Sequence, residues 1–303
     1  MTAHQDTAAW PELPPGPHGT PSPALAERYR SRPVAPTTVP SGDSIDTAVG
    51  YDDVRALLTC PHSSRDLSEP GLPRLVEGMS VDDVPDVLIN MDGPEHARQR
   101  RILARAFTVA SAERWRVSCR EIAHDLLDQA DHSGVDLVAD YALPLSSRVI
   151  CQVLGVPTQD YPRFRSWSSA FLSASSSSMA ARMAAFSDFM SYSAQLVAAR
   201  RANPGRDLVD DLIHARDGED RLSEDELITL LFALITAGLE TTTMMISRGA
   251  YRLLLHPERY RELVATPSLL HSTVEEILRY DGPGTPGLLR RLTADLELPS
   301  GAV

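Results

Sequence analysis

Residues 228–247 read ITLLFALITAGLETTTMMIS, and the rest of the chain is placed around this stretch. Leu230, Leu231, Phe232, Leu234 and Ile235 are apolar nearly all round, the pattern of a helix enclosed by protein. Ala237-Gly238-Leu239-Glu240-Thr241-Thr242 then breaks the pattern. Gly238 disfavours helix by roughly 1 kcal/mol relative to alanine. The threonine run adds β-branched crowding, and Glu240 brings a carboxylate that is costly to bury without a partner. A flaw kept inside the most apolar helix is expected to be used. Small residues let a flat ligand approach the backbone, and a threonine hydroxyl can bond back to a carbonyl one turn earlier and open the helix. The stretch therefore reads as a helix crossing the face of a large flat ligand, with an acid and a hydroxyl beside the reacting atom. Upstream, Ser223 and Glu226 form a capping box that starts this helix and fixes its register.

Twenty apolar-rich residues also raise the question of a membrane span, but Gly238, Glu240 and the threonines argue against one. Charged residues at 23% and hydrophobic ones at 43% are ordinary for a soluble globular protein. A net charge of −12 argues against a nucleic-acid partner. Cys60, Cys119 and Cys151 are odd in number and widely spaced, which suits neither a disulfide framework nor a zinc site. The N-terminus MTAHQDTAAW lacks the apolar core of a secretory signal, so a cytoplasmic protein is expected.

Outward from the central helix, residues 1–23 carry Pro11, Pro14, Pro15, Pro17, Pro21 and Pro23 and read as a flexible arm, with packed structure from about Ala24. Short strands are expected between Val34 and Val49, followed by a helix over Tyr51–Thr59 that ends before Pro61. Residues 62–90 show no sustained period; they form either a functional loop or a surface loop. Met91–Phe107 is a helix opened by Asp92 and Pro94. It sets His96 and Arg100 on one face at i and i+4, with Ile102, Leu103 and Phe107 toward the core.

Helices are expected over residues 112–133 and 141–155, holding Cys119 and Cys151 as buried structural cysteines. Residues 160–201 suit two helices joined by the run Ser175–Ser178, either a mobile lid with Trp167, Phe171, Phe186, Phe189, Met179, Met183 and Met190 as adaptable walls, or an ordinary core hairpin. Residues 203–221 read as a polar connection. Short helices follow to Pro257 and Pro267, then one over Leu269–Tyr280, where Glu276 and Arg279 at i and i+3 form at minimum a surface pair. Gly282–Gly287 is a turn, and the chain closes in an expected strand pair near Leu298–Val303.

Ala237-Gly238-Leu239-Glu240-Thr241-Thr242, Glu95-His96-Ala97-Arg98-Gln99-Arg100-Arg101 and Val274-Glu275-Glu276-Ile277-Leu278-Arg279-Tyr280, in that set and chain order, make the sequence resemble the cytochrome P450 family over roughly residues 24–303. The resemblance implies a mainly α fold with a small β-sheet region. It implies haem, with His96, Arg100 and Arg290 on its propionates and Ala237 and Gly238 against its face. Glu240 and Thr241 would deliver protons during dioxygen chemistry, and Leu234, Leu288 and Leu289 would touch substrate. Residues 62–90 and the 160–201 hairpin would cover the pocket.

The Glu276–Arg279 pair would be buried as an anchor for a later loop. Arg98, Arg101 and Arg105 would face solvent and dock an acidic electron donor of the ferredoxin type. The family's haem-ligating cysteine would lie beyond Val303, so a C-terminally incomplete fold is expected, and Cys60 lacks the glycine-rich approach of such a ligand. Two functions follow from the resemblance: a haem-thiolate monooxygenase acting on a small apolar or natural-product substrate, or a non-catalytic helper subunit of a natural-product glycosyltransferase. The joint presence of Glu240, Thr241, His96 and Arg100 favours the first.

Overall fold

A computed structural model describes residues 8–9, 23–75, 82, 86–130, 134–172, 178–205, 207–217, 220–282 and 287–302. They fall into two compact units, Met1–Gly93 with Pro286–Val303, and Pro94–Thr285.

The first unit holds β1 (Ala8–Ala9), α1 (Pro23–Ser31), β2 (Val34–Thr38), β3 (Ser44–Ala48), α2 (Tyr51–Thr59) and β4 (Ser63–Ser64). Strands β2 and β3 pair antiparallel from Val34 opposite Ala48 to Thr38 opposite Ser44. The tight return between them uses Gly42 at φ 90°, a left-handed turn position where a side chain is disfavoured. Ala8 and Ala9, inside the proline-rich segment, run parallel to Thr37 and Thr38. Arg28 of α1 ties the helix to this sheet by donating to the Ala35 and Thr47 carbonyls at 2.8 and 2.7 Å.

Much of the loop 62–90 is held in place. Arg65 is 4% exposed and its guanidinium donates to Asp82 Oδ1 at 2.7 Å, Asn90 Oδ1 at 2.9 Å and the Ile89 carbonyl at 3.1 Å. It also donates to the Leu289 carbonyl. A buried guanidinium requires such partners, because an unpaired one is prohibitively costly to desolvate. Ser63 and Ser64 pair antiparallel with Leu292 and Arg291 of β7 (Arg291–Leu292), which fixes where residues 287–292 enter this unit. At the chain's end Leu298 and Ala302 close a hydrogen-bonded turn instead of the expected strand pair.

The second unit is helical: α3 (Gly93–Ala106), α4 (Val109–Asp128), α5 (Leu143–Val153), α6 (Tyr161–Leu172), α7 (Met179–Ala202), α8 (Leu208–His214), α9 (Glu224–Leu255), α10 (Pro257–Ala265) and α11 (Leu270–Tyr280), with a hairpin of β5 (Arg216–Asp217) and β6 (Asp220–Arg221) before α9. Helix α9 packs on α5, α6 and α7. Its start is the expected capping box, Ser223 Oγ accepting from Glu226 N while Glu226 Oε2 accepts from Ser223 N at 2.7 Å. Helix α8 was not expected in the polar connection. Asp207 and Asp210 supply its own capping box, a signal hidden by the short apolar run between flanking glycines.

The hairpin α6–α7 is a core element. Phe164, Trp167, Phe189 and Tyr192 are buried and stack edge-on with ring centroids 5.0–6.0 Å apart; Phe189 continues onto Phe232 of α9 at 5.3 Å. Burial of each such ring contributes about 1.5–3 kcal/mol, so these aromatics hold the hairpin to α9 and are not adaptable pocket walls. Met183 is largely exposed. Residues 173–177 and the side chains of Phe171 and Met179 lie outside the described residues.

One glycine shapes the corner before α6. Gly155 sits at φ 69°, and a Cβ there would meet the Asp207 carboxylate at 1.8 Å. Only glycine allows that carboxylate to reach Arg200 at 2.6 Å.

Candidate functional site

The break in the apolar pattern of α9 is an orientation change within a continuous helix. Leu230, Leu231, Phe232, Ile235, Leu239 and Thr243 are buried, while Ala237, Glu240, Thr241 and Thr242 occupy an exposed side. Thr241 Oγ1 donates to the Ala237 carbonyl at 2.5 Å, Thr243 Oγ1 to Leu239 at 2.8 Å and Ser247 Oγ to Thr243 at 2.8 Å. The back-bond expected at Thr241 is present, and the helix stays closed around it. With its proton engaged by Ala237, the Thr241 oxygen keeps its lone pairs to accept a bond from outside.

Gly238 has a different reason from the one expected. A Cβ there would lie 2.9 Å from Ile150 Cδ1 of α5. The glycine lets α5 and α9 approach, so its side faces a neighbouring helix and not a flat ligand; Ala237 is the small residue on the open face. Glu240 is exposed, yet partial burial by its surroundings raises its carboxyl pKa above the usual glutamate value. Leu234, one turn earlier, is half-buried.

On α3, His96 is half-buried and Arg100 exposed, one turn apart on one face. Neither has a protein hydrogen-bond or ion-pair partner among the described residues, while neighbouring polar groups do. Arg98 is 17% exposed in its side chain and is held by Glu95 and Glu226. Gln99, buried, donates to Glu226 Oε1 at 3.2 Å. This corrects the expectation that Arg98 faces solvent: it ties α3 to the cap of α9. Glu226 was readable as the N3 residue of a capping box; what its second oxygen would hold was not. Arg101 and Arg105 are exposed as expected. Phe107 is 53% exposed because α3 ends at Ala106, which is buried in its place.

In the first unit Asp92 does not stand free as a simple cap. Its Oδ2 accepts from Ser64 Oγ at 2.6 Å and Arg65 N at 2.8 Å. Burial works against its charge, but these bonds and the Arg290 charge hold its pKa below the usual aspartate value. Arg290 and Leu288 are exposed and Leu289 half-buried. The Glu276–Arg279 pair is bidentate at 2.6 and 2.7 Å, and its side chains are 60% and 68% exposed, a solvated pair among the described residues. Cys151 is buried, and that burial, before the nearby Asp160 charge, pushes its thiol up to about 12. Cys119 is half-buried with a raised pKa for the same first reason. Neither is a thiolate at neutral pH.

Comparison with known proteins gives this geometry its class. The family model for Cytochrome P450 matches residues 148–266, which run from α5 through α9 to the end of α10. Nocardicin C N-oxygenase of Nocardia uniformis subsp. tsuyamanensis is 35% identical over 281 residues, covering 91% of this chain and 70% of that protein. Mycinamicin IV hydroxylase/epoxidase of Micromonospora griseorubida is 40% identical over 262 residues, 84% of this chain and 65% of the relative. The crystal structure of the LnmA cytochrome P450 hydroxylase from the leinamycin pathway of Streptomyces atroolivaceus S-140 superimposes with a TM-score of 0.85 at 35% identity, covering 98% of this chain and 75% of that one. The chain belongs to the cytochrome P450 family. It spans 65% and 61% of the length of the mycinamicin hydroxylase and of cytochrome P450 CYP107DY1 of Priestia megaterium.

Proposed function

We propose that this chain carries the propionate-binding and proton-delivery parts of a cytoplasmic haem monooxygenase acting on a small apolar or natural-product substrate. The observation that carries the reading is the half-buried His96 imidazole and the Arg100 guanidinium on one face of α3, neither with a partner among the described residues. A ring N–H and a guanidinium one turn apart can donate together to paired carboxylates. When bound, haem with a thiolate ligand supplies the activation of dioxygen.

The chain's own residues do the rest. Ala237 leaves the α9 backbone open to a flat group. Thr241 holds a water on the lone pairs that its bond to Ala237 leaves free. Glu240, with its raised pKa, keeps a fraction of its protons nearer neutrality than an ordinary glutamate and passes them to that water. Leu234 offers apolar contact to substrate. Electrons come from a ferredoxin-type donor whose acidic surface meets Arg101 and Arg105, with Arg98 excluded because it is committed to Glu226. The named relatives that oxidise mycinamicin IV and nocardicin C support a natural-product substrate class.

Haem titration of the purified chain tests the cofactor reading without turnover. The haem absorption band is expected to saturate on the wild-type chain, with affinity weakened at least about tenfold in His96→Ala/Arg100→Gln, as loss of charge-assisted bonds implies. Equal affinity in the double variant overturns the assignment.

A further inference from the structure

Helix α5 has two working faces. Ile150 meets Gly238 of α9. Arg148 and Gln152, at i and i+4, line a cleft of about 630 Å³ together with Ile122 of α4 and Gly155, Val156, Thr158 and Tyr161 from the α5–α6 connection and the start of α6. The polar chemistry of this cleft is one-sided. Arg148 offers only donors, Gln152 an amide, Thr158 and Tyr161 hydroxyls, and no carboxylate lines it. Two acids adjoin it and both are engaged: Asp160 accepts from the Tyr192 hydroxyl at 2.8 Å, and Asp207, against Gly155, accepts from Arg200 Nε at 2.6 Å. Arg148 is half-buried and makes no ion pair or hydrogen bond among the described residues; nor do the side chains of Gln152, Thr158 and Tyr161. Other half-buried arginines of this unit are satisfied: Arg98 by Glu226, Arg200 by Asp207, Arg252 by Asp281. The backbone N–H groups of Gly155 and Val156 are spent on Gln152 and Cys151 carbonyls, so the side chains alone are free to bind.

We propose that this cleft is a binding site for a small monocarboxylate with an apolar body, its carboxylate on Arg148 and Gln152 and its body against Ile122 and Val156. A guanidinium accepts a carboxylate in a bidentate fork, and the hydroxyls of Thr158 and Tyr161 close the remaining lone pairs. Burial raises the Tyr161 pKa, with Cys151 adding and Arg148 opposing, so its phenol stays protonated as a donor at neutral pH. The site is separate from His96 and Arg100, which belong to α3, and does not depend on the function proposed above.

The test uses the purified chain with 4-(trifluoromethyl)benzoate observed by fluorine NMR, its neutral amide as the uncharged probe, and circular dichroism to confirm helix content. One saturable site for the benzoate is expected, weakened at least about tenfold in Arg148→Gln and unchanged in Arg100→Gln. Thr158→Asp, at an exposed rim position, puts a carboxylate beside Arg148 and should expel the probe as effectively. That variant decides the matter alone if Arg148→Gln loses helix content. Absence of a saturable site, equal binding in the cleft variants, equal binding of the amide, or loss of the site in Arg100→Gln overturns the proposal.

Discussion

Two arginine–carboxylate pairs in this protein have nearly the same contact length and different surroundings. Arg65 meets Asp82 at 2.7 Å with side chains 4% and 5% exposed. Arg279 meets Glu276 at 2.6 Å with side chains 68% and 60% exposed. The first joins segments 17 residues apart and also holds Asn90 and two backbone carbonyls; the second spans one turn of a helix. Contact lengths are alike and the exposed pair even has the bidentate geometry, so the difference lies in desolvation: removing one partner of the buried pair disrupts a charge network away from water, while removing one partner of the exposed pair returns the other to water. Pair length alone ranks nothing.

The largest effect is therefore expected at the buried end of the comparison. Arg65→Met should destabilise the protein by about 3–5 kcal/mol, because it removes one charge of a buried, hydrogen-bonded ion pair. Urea unfolding followed by circular dichroism reads it, and Arg65→Met/Asp82→Leu should recover part of the loss. A small effect in the single variant would mean that water replaces the guanidinium and that burial is not what separates the two pairs.

Glu226 is the intermediate case. Its two oxygens serve Ser223 N on one side and Arg98 and Gln99 on the other, so Glu226→Ala removes the side-chain half of the α9 capping box and the tie to α3 together, leaving Ser223 Oγ on the Glu226 N–H. A loss of about 2–3 kcal/mol is expected. Glu226→Gln, which keeps a cap acceptor and loses the charge, should lose less. Equal losses in the two variants would show that the charge matters and the cap does not.

These cases mark how far the sequence could be read. The α9 register, the α3 face bearing His96 and Arg100, and the helix over Tyr51–Thr59 were legible because periodicity, caps and prolines act locally. Gly238 was legible as a flaw and misread in purpose, since its reason is Ile150, 88 positions away, and periodicity carries no partner. The exposure of Glu276 and Arg279 was legible from spacing; the resemblance pointed to burial and the surface-pair reading describes the structure. Arg98 and Arg65 became readable only once tertiary contacts assigned each charge its partner, whereas the Asp207–Asp210 box was a local signal passed over. Trp167 and Phe189 suited wall or core equally by pattern, and only their edge-on packing chose the core.

Asp281 gives the comparison a pH axis. Arg252 donates to its Oδ2 at 2.5 Å and Oδ1 at 3.0 Å, and this bond, ahead of the opposing burial, lowers its pKa from 3.8. The unfolded chain then binds more protons in that window, so stability rises with pH through it. The contribution is complete above the unfolded value and is lost as pH falls through the lowered one. Asp281→Asn should destabilise by about 1–2 kcal/mol at pH 7, with the difference from wild type vanishing in strong acid. A difference that persists there would assign the effect to packing against Tyr280, over which Arg252 also stacks at 4.9 Å.

At the exposed end, Glu276→Gln is expected to leave the urea midpoint within measurement scatter. The Arg279 bond lowers the Glu276 pKa, but both groups stay in water, where salt screens the attraction and fixing two long side chains offsets what remains. Repeating the measurement at low and high salt separates a silent pair from one whose attraction and ordering penalty cancel, since only the latter shifts with ionic strength. A clear midpoint loss at both salts would contradict a solvated pair and would place a partner over this face of α11, where Val274 and Leu278 are also exposed. The same substitution thus asks whether this face of α11 ends in solvent or at a contact.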